Sequence, residues 1–240
     1  MTSANEHAFA PEWWVTIIAI VSLVAAGICF VIIVMDIRRG HRQRMGIMNV
    51  VWPITALYAG PLALWMYYKV GRRSSLKYLR EAQEKGESVP ERPFWQSVGV
   101  GATHCGAGCT LGDIVAEWFM FFFPFFTIFG RILFANWVID YALAYILGII
   151  FQYYSIKPMR GLSVKEGIIA AIKADTLSLT AWQVGMYGWM AIATFVLFRA
   201  EMPKTSPVFW LMMQIAMLFG LLTAYPVNWW LIKRGIKERM

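Results

Sequence analysis

Cys105, Cys109, Asp113 and Glu117 recur every four residues in the stretch GATHCGAGCTLGDIVAEW, with His104 directly before the first cysteine. On an α-helix this spacing sets two thiols and two carboxylates along one ridge. Thiolate sulfur with imidazole favours Cu(I), Zn(II) or an iron–sulfur cluster. The second Cys/His pair that closes a structural zinc site is missing, and three cysteines cannot supply the four of a cluster. His7 and His41 lie in segments flanking the apolar runs, which leaves no axial pair for haem. Cu(I), content with two or three soft ligands, is the ion that His104, Cys105 and Cys109 suit best. A packing role stays open. Gly108-x-x-x-Gly112 makes a close helix-packing face, on which free cysteines behave as small hydrophobes.

The carboxylates suggest a second chemistry. Asp113 and Asp140 stand at similar distances from a turn near 124–131, so an antiparallel hairpin brings them to one depth. Paired acids there, with Glu117, form a relay for protons or cations. The alternative is a single neutral acid hydrogen-bonded to Asn136, Tyr141 or Tyr145. Asp175, at the head of another apolar run, is either a further station or an acid favoured by the helix dipole. Gln183, Met186 and Met190 follow on that run and extend the path. Met186 with Met190, and Met213 with Met217, are i,i+4 pairs of thioethers suited to Cu(I) or to flexible packing.

These residues sit in a chain of 240 that is 59% hydrophobic and only 15% charged, with a mean hydropathy of +0.54. Soluble domains carry about a quarter charged residues, so a soluble enzyme and a disordered chain are both excluded. The net charge of +8 comes from loops between apolar runs. It points to anionic lipid rather than nucleic acid.

Six apolar stretches, at 13–35, 47–68, 98–123, 132–153, 176–198 and 208–232, each approach the roughly 20 residues a bilayer core requires. The fold class is an all-α polytopic membrane bundle. The first stretch lacks a preceding basic residue and is followed by MDIRRGHRQR, so it is no cleavable signal. That asymmetry sets the N-terminus outside, with the C-terminus in the cytoplasm. If the second stretch crosses fully, 7 basic residues lie inside and 15 outside; if it re-enters, 19 lie inside and 3 outside. The re-entrant form obeys the positive-inside rule, and Pro53, Gly60 and Pro61 suit a broken helix. A kinked crossing, its loop charge offset by four glutamates, is the alternative.

The chain divides into an N-terminal pair of segments (1–70), a basic amphipathic cytoplasmic linker (71–94) and a four-helix unit (95–240). Within that unit SVKE at Ser163 is a capping box. A helix from there to Phe198 would be about 54 Å long at 1.5 Å per residue, so 163–174 is expected to lie along the interface.

HCGAGCTLGDIVAEW, with MNVVWPITALYAGPLALWMYY upstream and FQYYSIKPM and DTLSLTAWQVGMYGWM downstream, resembles the bacterial membrane family called domain of unknown function 4396. The resemblance runs from about Met48 onward. It implies an integral protein of the bacterial inner membrane and supplies no activity. His104, Cys105, Cys109, Gly112 and Asp113 match one of its motifs, and Asp175, Trp182, Gln183 and Met186 another.

Three functions follow as expectations. The leading one is binding or translocation of a soft metal ion, with His104, Cys105 and Cys109 as ligands and Asp113 and Asp140 as relay. The second is a secondary transporter or channel for a non-metal solute that uses the carboxylates. The third, an enzyme, is a membrane thiol oxidoreductase cycling Cys105 and Cys109. The expected partners are the bilayer, a metal ion or small solute, and a second copy or another membrane protein.

Overall fold

The computed structural model describes residues 9–88, 91–124 and 127–239; His7 lies outside them. Five helices or helical stretches among these are long and apolar enough to cross a membrane. The chain is a multi-pass helix bundle. Its helices are α1 (Trp13–Arg38), α2 (Met48–Met66), the short α3 (Leu76–Glu84), α4 (Phe94–Phe122), α5 (Ile132–Arg160), α6 (Val164–Ile192) and α7 (Pro207–Lys233).

Helix α1 is apolar all round. Only Ala19, Ala26, Cys29, Ile33 and Ile37 are buried, which forms a seam at near-heptad spacing. Ile18, Val21, Val24, Ile28 and Val31 point outward. In water this surface would be untenable, and against lipid it is unremarkable.

Helix α2 is the re-entrant element. Gly60 takes φ 49° and ψ −125°, a break inside the helix. The next residue, Pro61, has no N–H, so the Leu57 carbonyl loses its helical donor. Gln214 Nε2 of α7 takes that carbonyl at 2.7 Å, while its Oε1 accepts from Ser22 of α1 at 2.7 Å. One glutamine therefore clamps the hairpin tip, which rests beside Ala26, midway along α1. Both hairpin ends return to the foot of α1. Tyr67 Oη donates to Asp36 at 2.8 Å, Arg72 pairs with Asp36 at 3.2 Å, and Trp52 meets Tyr67 with ring centroids 5.8 Å apart. Leu76 N donates to the Arg42 carbonyl at 2.8 Å. Residues Trp52 and Tyr67 would be about 22 Å apart on a straight helix, so the segment enters and leaves on one face. His41 joins the same corner, 3.3 Å from Asp36.

The sidedness of the bundle follows from this hairpin. The two basic loops share a face with the feet of α5 and α7, where Arg160 pairs with Glu238 at 3.3 Å and Arg239 reaches Ser97. Arg131, Arg199 and Lys204 are left on the other face, the 19-to-3 division. Because L-residues other than glycine rarely adopt the Gly60 backbone, Gly60→Ala is expected to cost about 1–3 kcal/mol. Denaturant titration of the detergent-solubilised protein would measure it, and an unchanged midpoint would mean that the tip relaxes.

Helices α4 and α5 lie antiparallel and nearly touching. A Cβ built on Gly108 would fall 2.8 Å from Gly148 Cα, and one on Gly112 would meet the Ala144 backbone. Helix α5 ends at Gly161, with φ 64°. The capping box then starts α6. Ser163 Oγ accepts from Glu166 N, and Glu166 Oε2 accepts from Ser163 N at 3.0 Å. These bonds hold the exposed Glu166 carboxyl below its usual range.

Residues 163–174 do not form a separate surface helix. Helix α6 runs unbroken for 29 residues, and Gly167 and Ala171 of its first turns are buried, Gly167 against Tyr153 of α5. With no proline inside α6 nothing turns the backbone. Its early turns stay packed beside α5 on the basic-face side. The expected linker helix is shorter than its segment, spanning only Leu76–Glu84 behind a Ser75 cap.

Candidate functional site

Along α4 the ridge is entirely inside the protein. His104, Cys105, Cys109, Asp113 and Glu117 are each at most 2% exposed. The glycines explain this burial. Gly108 and Gly112 admit α5, while Gly106 admits the Trp182 indole of α6 and the Tyr58 hydroxyl of the hairpin. Trp182 donates its Nε1 hydrogen to Met217 Sδ at 3.4 Å and meets Tyr58 edge-on at 5.9 Å. Three polar levels result.

Cys105 and Cys109 occupy the middle level. The two thiols stand on successive turns of α4, with the Tyr58 hydroxyl against Gly106 between them. All three cysteines, including Cys29 on α1, are free and buried. Helix α4 is continuous here, so a disulfide between Cys105 and Cys109 would require the helix to unwind. Met186 and Met190 belong to the same core cluster. Met217 Sδ is already an acceptor for Trp182 and for Thr110, at 3.8 Å.

On the sparse-charge side lie the acids. The register that sets Gly112 against Ala144 puts Asp140 level with Ala116, between Asp113 and Glu117. The expected common depth is therefore present. Glu117 pairs with Lys204 from the α6–α7 loop and accepts from Asn136 Nδ2 at 3.2 Å. The other two suggested partners are engaged elsewhere, Tyr141 with Thr180 at 2.9 Å and Tyr145 with Thr176 at 3.0 Å. Asp113 faces Gln183, and neither side chain makes a regular hydrogen bond to any third group among the described residues.

On the basic-face side Asp175 is held by Lys237 at 3.1 Å, both side chains at most 1% exposed. Asp175 sits well inside α6 rather than at its start, which removes the dipole reading. It also stands apart from the other acids. Lys237 follows α7, where the chain folds back so that its N–H bonds the Leu231 carbonyl. Its side chain reaches Gly101, one turn before His104. Neither ring nitrogen of His104 has a partner, nor does the amide of Gln152. The register that sets Gly108 by Gly148 puts Gln152 at the level of His104. Asn228 donates to Ser178 at 2.7 Å nearby.

Among the described residues, no group of three or more His, Cys, Asp or Glu side chains is arranged to hold a metal ion. Sequence reasoning missed Lys204, Lys237, Tyr58 and Gln152. The lysines sit in ordinary-looking loop and tail contexts, and nothing local marks them as partners of buried acids.

A family model described as a domain of unknown function (DUF4396) matches residues 94–237, more than half of the chain. The chain belongs to this family. The matched stretch runs from the first residue of α4 to Lys237, so the family region contains all three polar levels and both flanking lysines. The hairpin lies outside it, a narrower extent than the resemblance from Met48 onward. No curated protein and no solved structure matches the chain.

Proposed function

We propose that the protein is a membrane carrier in which Asp113, Asp140 and Glu117 load and release a proton or small cation. The observation that carries this reading is the fully buried Asp113 carboxyl, which no salt bridge holds among the described residues and which faces the Gln183 amide. Ionisable groups at membrane depth are functional candidates by default. The carboxyl and the amide facing it supply the donors and acceptors that a proton, or a cation with its water, would use.

Both ends of this column are closed by a lysine on a carboxylate, Lys204 on Glu117 and Lys237 on Asp175. This arrangement suits an occluded state, in which a tethered ammonium occupies the place of an arriving cation. The positive-inside rule assigns the 19-residue basic face to the cytoplasm of a bacterial inner membrane, with the N-terminus outside.

A second reading, Cu(I) as cargo, is favoured by the two free, buried thiols of Cys105 and Cys109 on successive turns of one helix. In it His104 would be a third ligand, Met186 and Met190 weaker stations, and the acids the relay.

Proteoliposomes containing a pH-sensitive dye separate the two. Under an imposed potential the wild type is expected to acidify the lumen above the rate of empty liposomes. Asp113→Asn and Asp140→Asn should return the rate to that background, whereas the Cys105→Ser/Cys109→Ser double variant should retain it. Flux that needs added Cu(I) and disappears in the cysteine variant would favour the metal reading. No flux in either condition would sink both.

A further inference from the structure

On the basic face a cavity of about 800 Å³ opens where the hairpin foot, the start of α4, the end of α5 and the C-terminal tail converge. Arg44, Arg73, Arg92 and Arg239 line it from four separate stretches of chain, against one acid, Glu91. None of the four arginines has a carboxylate within ion-pair distance among the described residues. They hold neutral groups instead. Arg92 bonds the Ser74 hydroxyl, while Arg239 donates to Ser97 Oγ at 3.4 Å and to the Arg92 carbonyl at 2.5 Å. Each guanidinium carries five N–H donors, so most of this donor capacity is unspent.

Trp52 closes the cavity on one side at 1% exposure, with the Nε1 edge of its indole packed on Gly71. Burial and the neighbouring Arg239 push the Arg92 guanidinium below its ordinary value, a sign of positive charge gathered without a counter-charge. The N-terminus of the long helix α4 adds its dipole from the same direction.

We infer that this cavity binds a phosphate group carried on a larger organic body. Phosphate matches the planar forks of several arginines and brings more acceptor oxygens than a carboxylate does. The cavity is far larger than a bare anion, and Met48, Val100 and Met159 give it an apolar wall beside the arginines. A soluble phosphate ester and the headgroup of an anionic phospholipid share this chemistry. The inference does not depend on the transport reading.

The test uses the full chain in neutral detergent, with two arms. Calorimetric titration with glycerol 3-phosphate, against acetate at equal ionic strength, probes the soluble source. Native mass spectrometry from mixed micelles of phosphatidylglycerol and phosphatidylcholine probes the lipid source. Saturable binding of glycerol 3-phosphate assigns a soluble ester, and selective retention of phosphatidylglycerol without it assigns the lipid headgroup. In either case Arg92→Gln/Arg239→Gln should weaken binding by about tenfold or more, as loss of charge-assisted forks requires. The rim pair Arg44→Gln/Arg73→Gln, whose side chains are exposed, serves the same purpose if the first double variant fails to fold. Absence of both binding modes, or binding indifferent to all four arginines, would overturn the inference.

Discussion

Lys237→Ala is expected to destabilise the protein by about 3–5 kcal/mol, the usual cost of stranding one partner of a buried ion pair. The Lys237 side chain is wholly buried and Asp175 is 1% exposed, so water cannot replace the lost ammonium. The damage should extend beyond one contact. The tail after α7 is anchored by this lysine between α4 and α6, and Glu238 and Arg239 bond to α5 and α4 from the same turn. Denaturant titration in detergent would read the effect. The charge-free double variant Asp175→Leu/Lys237→Met should recover most of the loss, since no buried charge is left alone. A Lys237→Ala protein as stable as wild type would mean that the tail detaches freely, and the basic-face end of the column would then have no lysine closing it.

Gly112→Ile should be comparably severe. A Cβ at this position already meets the Ala144 backbone, and backbone cannot rotate away as a side chain tip can. Overpacking a tight core costs about 1–3 kcal/mol and sometimes more, and here relief comes only by moving α4 away from α5. That movement separates Asp113 from Asp140, so ion flux is expected to fall to background even where the protein still folds. Gly188 gives the control, because nothing lies within 4 Å of its would-be Cβ. Gly188→Ala should be neutral or stabilising by up to about 1 kcal/mol, the helix-propensity difference. Equal losses at the two positions would show that α4–α5 contact is not the determinant.

Composition alone required lipid, because 15% charged residues cannot cover a 240-residue surface in water. Periodicity placed Cys105, Cys109, Asp113 and Glu117 on one ridge, since the helix repeat is a local property of the backbone. Turn symmetry put Asp113 and Asp140 at one depth for a similar reason. The charge tally narrowed the second segment to a crossing or a return. The choice between them lay with Asp36, Tyr67 and Gln214, whose contacts join distant parts of the chain.

Helix α6 shows the opposite error. Its capping-box start was legible, but whether its first turns form a separate element or stand beside α5 depends on what Gly167 can pack against. Lys204 and Lys237 were equally hidden, because a loop lysine becomes an acid's partner only when folding brings the loop over that acid. The sequence by itself therefore determined which groups share a helix face, which short-range geometry enforces. Only the tertiary structure decided which groups share a cavity or a charge, because those pairings depend on helix register and on where the tail and loops return.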